Sequence, residues 1–218
     1  MARRSIRAAM IIVMTAAGSA VFSQTLLELA RTGTPDQIRA IIAAGSDVNE
    51  KTPGGWTPLL LAVRYNGNIQ VIKLLLDAGA RLDDRDAIGH TPLMIALYHD
   101  ALPEIVAVLL AAGASVHDRD RTGFSPLMLA AVNSEYPAVV RSLLAAGADV
   151  EERTSDGKTP LILAAQWSSH PAVLVELLNG GAEAESRDAA GRTALDYARD
   201  NEGLKGSAAE KLLAGPGR

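Results

Sequence analysis

The chain has 218 residues, 48% of them apolar and 21% charged, enough to bury a core and unlike a disordered polymer. The first 24 residues hold three arginines and no acid, leaving 18 basic against 25 acidic residues, or −7, in the remainder; that argues against nucleic acid or an anionic membrane surface, both of which require Lys and Arg. Cysteine is absent, which excludes disulfides, Cys–zinc sites, a thiol nucleophile and lipid attachment to an N-terminal cysteine.

Residues 1–23 read as a signal peptide. Arg3, Arg4 and Arg7 give a positive start, and residues 8–22 form an uncharged, mostly apolar stretch of 15 residues. Small residues follow, with cleavage expected after Ala20 or Ser23. A membrane-spanning helix needs about 20 apolar residues, so this stretch falls short, and an uncleaved anchor is the alternative. The expectation is export, into a bacterial periplasm, with no membrane insertion once the segment is removed. An extracellular location, or tethering to the inner membrane by an uncleaved N-terminus, are the alternatives.

From residue 24 to 214 the chain is a repeat. Gly55, Gly89, Gly123, Gly157 and Gly191 are spaced 34 apart, and so are Gly45, Gly79, Gly113, Gly147 and Gly181. The first set opens the phrases GWTPLLLA, GHTPLMIA, GFSPLMLA, GKTPLILA and GRTALDYA; the second closes phrases such as VLLAAGASV. The units are 25–54, 55–88, 89–122, 123–156, 157–190 and 191–214. Thr57-Pro58, Thr91-Pro92, Ser125-Pro126 and Thr159-Pro160 predict helix starts, with a hydroxyl cap and proline in the first turn. Pro35, Pro103, Pro137 and Pro171 predict a second helix in their units, ending where the second glycine set supplies a left-handed residue. About ten polar residues then make an extended turn. Residues 215–218 should fray.

The T-P-L-x-x-A and L-L-x-x-G-A phrases at this period resemble the ankyrin repeat, over nearly the whole chain after residue 24. The resemblance implies an all-α solenoid of stacked helix–turn–helix units joined by extended turns. It also implies a non-enzymatic protein–protein interaction module or scaffold, with a concave groove that holds another protein. Two departures stand out. The family's usual His after T-P-L is replaced by Leu60, Met94, Met128 and Ile162, which predicts apolar packing there. The period is 34, with the extra residue expected between helices at 66–68, 100–102, 134–136 and 168–170. Glu28 in the first unit and Asp196 in the last stand where inner units carry Leu, Met or Ile, as capping repeats require.

No constellation of residues points to catalysis, a metal or a cofactor. Asp83-Asp84 and Glu151-Glu152 are adjacent pairs of an extended turn and read as solvated. His90 and His99, nine residues apart, stand too far along a helix to share one metal ion. Asp86, Asp120 and Asp188 recur at a turn place where the side chain accepts backbone N–H groups. Asn49 reads as a turn residue.

The binding information lies in the aromatics. Five of the seven aromatic residues after residue 24 fall in twelve places, three per unit, that line the concave groove in the ankyrin family. The candidate partner-binding residues are Trp56, Tyr65, His90, Tyr98, His99, Phe124 and Trp167, with Tyr65, Tyr98 and Trp167 as anchors. Packing within the stack is the alternative role, for Trp56 above all. The two histidines predict weaker binding as pH falls through about 6.5. The partner is another protein, and the chain alone is expected to be monomeric. An inhibitor or immunity-type partner of a secreted enzyme is the second functional reading, and an enzyme with a site between repeats the third.

Overall fold

The computed structural model describes residues 11–12, 23–99 and 102–215. Ile11–Ile12 and Ser23–Gln24 form a two-residue antiparallel pair. The rest of the expected signal peptide and the tail 216–218 lie outside the described residues. From Leu26 onward the regular elements are helices: α1 (Leu26–Thr32), α2 (Pro35–Ala43), α3 (Pro58–Leu61), α4 (Ile69–Asp77), α5 (Pro92–Tyr98), α6 (Pro103–Ala111), α7 (Pro126–Asn133), α8 (Pro137–Ala145), α9 (Pro160–Trp167), α10 (Pro171–Asn179), α11 (Ala194–Asp200) and α12 (Ala208–Ala214). Contacts divide the chain into two compact units, Met1–Ala87 and Ile88–Arg218.

In the first unit α1 packs on α3, and α2 packs on α4. In the second, α7 lies between α5 and α9, α9 meets α11, and α8 lies between α6 and α10. The first helix of each inner repeat is apolar around most of its circumference because it has neighbours on several sides. Leu60, Met94, Met128 and Ile162, at the place of the family's histidine, are all 0% exposed. The hydroxyl caps survive that exchange: Thr57, Thr91, Ser125 and Thr159 accept the N–H of those four residues in turn. In the first and last repeats the same place carries a carboxylate that completes a capping box. Glu28 accepts the Thr25 N–H at 2.9 Å, and Asp196 the Thr193 N–H at 2.9 Å.

The two glycine sets play different parts. Gly113, at φ 94°, ends α6, with its own N–H on the Leu110 carbonyl and the Ala114 N–H on the Leu109 carbonyl, both at 3.0 Å. This bond pair satisfies carbonyls that the helix end leaves free. Gly157, at φ 80°, sits in a turn against which the following turn presses, and a β-carbon there would stand 3.0 Å from the Ala189 backbone nitrogen.

The extra residue of the 34-residue period is handled in two ways. After α7 and α9 it lies in an extended turn led by Ser134 and Ser168. In the second repeat it lies inside the helix. α3 continues into a π-helical turn, Ala62–Asn66, ended by Gly67 in the left-handed region with its N–H on the Ala62 carbonyl. The Asn66 side chain donates to the Gly33 carbonyl at 3.0 Å, which holds the widened turn against the first repeat.

A left-handed backbone costs about 1–2 kcal/mol for any other side chain, and both glycine sets meet that cost. Of Gly147 and Gly157, only Gly157 also meets a neighbour. Gly157→Ala should therefore destabilise the chain by about 1 kcal/mol or more beyond Gly147→Ala, whose β-carbon meets nothing within 4 Å. Urea unfolding of both variants checks this.

Candidate functional site

The turns between repeats decide which side chains face inward. Asp120 shows how. Its carboxylate accepts the Thr122 N–H at 2.8 Å and the Phe124 N–H at 3.0 Å, folding the turn that presents Phe124 just before the cap of α7. Burial pushes this carboxyl up, but the Thr122 hydroxyl and the two N–H groups outweigh it and hold it below the usual carboxylate range. Asp188 repeats the device with the Ala190 and Arg192 N–H groups and adds the Tyr197 hydroxyl at 2.6 Å. There too burial acts upward and the bonds win.

The turns are also stitched to one another, a feature that reading the glycine pattern alone does not anticipate. Arg119 donates to the Gly123 carbonyl of its own turn at 2.6 Å and to the Arg153 carbonyl of the next at 3.5 Å. Arg153 does the same with Gly157 and Arg187, both at 2.8 Å. These arginines recur every 34 residues, so the comb that exposes the glycines also contains this signal. Asn49 is more than a turn residue: it donates to the Gly79 carbonyl at 3.0 Å and accepts the Arg81 N–H at 2.9 Å. Glu151 accepts the Glu183 N–H at 2.9 Å in the same register.

The acidic pairs expected in solvent are not both there. Alternation in the extended turn sends Asp83 outward and Asp84 inward, where Asp84 is 3% exposed and meets the Lys51 ammonium at 2.6 Å. Glu152 turns inward as well, bonded to the Ser125 hydroxyl and to Arg119 at 3.1 Å. Burial raises its carboxyl above the usual range, against the pull of Ser125 and Arg119.

The candidate binding residues separate by exposure. In the first unit Tyr65 is 49% exposed, and its ring stands 6.1 Å from that of half-buried Trp56. The Arg31 guanidinium lies over the Tyr65 ring at 4.7 Å and Arg64 at 5.3 Å. In the second unit Trp167 is 63% exposed and Tyr98 48%, while Phe124 and His99 are half-buried. Tyr98 rests on two imidazoles, 5.1 Å from His90 and 4.8 Å edge-on from His99. His90 is a correction to the expected binding face. It is 3% exposed, with Nε2 3.3 Å from the Asp120 carboxylate, so it ties the start of the third repeat to the turn at that repeat's end, and its ring stands 5.1 Å from that of Tyr98. Tyr98 is therefore open to solvent where His90 is not, and of the two histidines expected on the binding face only His99 keeps a half-buried surface there. Among the described residues no group of three His, Asp or Glu side chains is placed to hold a metal ion. No helix of the described residues is long and apolar enough to cross a membrane.

A family model for ankyrin repeats, in three copies, matches residues 26–120 and again residues 127–215. The chain belongs to the ankyrin-repeat family. No curated protein matches it. Ankyrin repeats are generally protein–protein interaction modules, and the family is typically non-enzymatic.

The depressed carboxyl of Asp188 has a consequence for stability. A carboxyl lowered by folding stabilises the fold above its unfolded pKa of about 3.9, and that contribution is lost as pH falls through the folded value. Asp188→Asn should cost about 1–3 kcal/mol at pH 7 and progressively less below about pH 4. Unfolding midpoints of the two proteins between pH 3 and 7 check the convergence.

Proposed function

We propose that the chain is a non-enzymatic module that holds a partner protein on the exposed aromatics at the ends of its first helices. The observation that carries this is the exposure of Tyr65, Tyr98 and Trp167, each about half or more open to solvent in a chain whose other large apolar side chains are mostly buried. Aromatics left this exposed at the ends of the first helices add little to the stack's own burial. They supply large, stiff contact area to a partner, the character of interface hot spots. His99 stands beside Tyr98, and Trp56 beside Tyr65. The net charge of −7 after residue 24 favours a neutral or basic partner surface, chiefly through the rate of encounter.

The arginine-led apolar segment before Gln24 supports export, into a periplasm, as the setting for this binding. Mass spectrometry of the mature N-terminus tests it: a chain beginning after Ala20 or Ser23 agrees, and an intact Met1 on the cytoplasmic protein refutes it.

The binding reading is tested by Tyr98→Ala combined with Trp167→Ala in affinity capture with the full chain. Each substitution should remove about 2 kcal/mol or more of partner binding. The melting temperature should move little, because both side chains face solvent. Loss of folding with binding per folded molecule intact would make the aromatics part of the core.

A further inference from the structure

The first unit holds a pocket of about 340 Å³ lined by Leu27, Glu28, Arg31, Thr52, Trp56, Leu61 and Tyr65. We propose that this pocket receives a carboxylate carried on an apolar body, presented by the partner protein either as its chain terminus or as an acidic side chain beside a large apolar one. The inference deepens the binding reading above and rests on it for the partner being a protein.

Charge decides the ligand. Arg31 and Arg64 both lie over the Tyr65 ring, and among the described residues neither is paired with a carboxylate at salt-bridge distance. Most other arginines after residue 24 are committed: Arg39, Arg81, Arg119, Arg141, Arg153 and Arg192 each have an acidic partner. Glu28, one turn before Arg31, is not that partner, since its carboxylate is occupied by the Thr25 N–H at 2.9 Å. A guanidinium held over a ring keeps the N–H groups of its rim for a planar acceptor, and a carboxylate matches that fork. A cationic ligand is disfavoured on the same grounds. The Tyr65 ring already has two positive groups within 5.3 Å of its centre, Arg31 in the pocket wall and Arg64 beside it, and these repel a third. The apolar body follows from Leu27, Leu61 and the Trp56 ring, which offer contact area but no charge. At about 340 Å³ the pocket has room for one large side chain and its flanking backbone, and not for a folded surface.

The test is a titration of the full chain with three probes: N-acetyl-Ala-Ala-Phe as the free acid, the same peptide as its C-terminal amide, and N-acetyl-Ala-Glu-Phe amide. The readout is the indole N–H resonance of Trp56, assigned by its loss in Trp56→Phe. The free acid should shift this resonance and bind at least tenfold tighter than the plain amide. Arg31→Gln should erase that difference while leaving amide binding as it was, and Arg64→Gln should reduce it. Arg31 is exposed and Arg64 half-buried, and a melting curve verifies that both variants keep the fold. Glu-containing amide that binds like the free acid assigns the carboxylate to a side chain; free acid binding alone assigns it to a chain end. Either result supports the pocket. Equal binding of acid and amide, an unmoved Trp56 resonance, or an Arg31→Gln variant that still discriminates overturns it. Trp167→Ala should leave the titration unchanged, which separates the two readings. A chain that captures its partner yet ignores all three peptides overturns the pocket alone. One that binds the free acid but keeps its partner after Tyr98→Ala with Trp167→Ala overturns the aromatic face alone.

Discussion

A pair of helices of nine residues or fewer has too little apolar surface to hold itself together, and within each unit such pairs are completed by the neighbouring pair. The burial of α7 is borrowed from its neighbours: Leu127 and Met128 are 0% exposed only because α5 and α9 flank it. Sideways burial of this kind has no intrinsic register, since one apolar face slides over another at little cost. The turns supply the register. Arg119 and Arg153 each bind a carbonyl of their own turn and a carbonyl of the next, and Asn49 and Glu151 tie backbone groups across the same step. Gly157 leaves the room one of these turns needs, since a β-carbon there would stand 3.0 Å from the Ala189 backbone nitrogen.

Because the turns and the helix interiors carry the fold, the ends of the first helices are left to other uses. Trp167 closes α9 and projects into solvent. Tyr98 closes α5 and is steadied by His90, whose bond to Asp120 belongs to the structural network. A rigid aromatic on a fixed base loses little freedom on contact, so its area converts to affinity at low entropic cost. In the first unit Arg31 plays the corresponding part for Tyr65.

Much of this is legible in the sequence, for a physical reason. Repetition at a fixed step turns one sequence into several aligned ones, so the caps at Thr57, Thr91, Ser125 and Thr159, and the prolines at 35, 103, 137 and 171, can be placed to the residue. The left-handed glycines are equally plain, because no other residue takes that conformation cheaply. Long-range partners are not legible. Nothing in the order of residues tells that His90 turns inward to Asp120 while Tyr98 stays out, because the choice depends on a turn 30 residues further along the chain. Asp84 and Glu152 look solvated in the sequence for the same cause. The π-helical turn of the second repeat is hidden too: its length matches the other repeats, and only the Asn66 bond to Gly33 and the glycine at 67 decide where the extra residue goes.

One set of residues holds the stack and another is left exposed to solvent. Native-state amide hydrogen exchange across residues 88–215 tests this division most directly, with Trp167→Ala and Asp188→Asn compared against the parent chain. Protection should stay unchanged throughout this unit in Trp167→Ala, and exchange should quicken in both α9 and α11 in Asp188→Asn. Loss of protection in α7 and α9 on removing Trp167, or an Asp188→Asn variant protected like the parent, would contradict it.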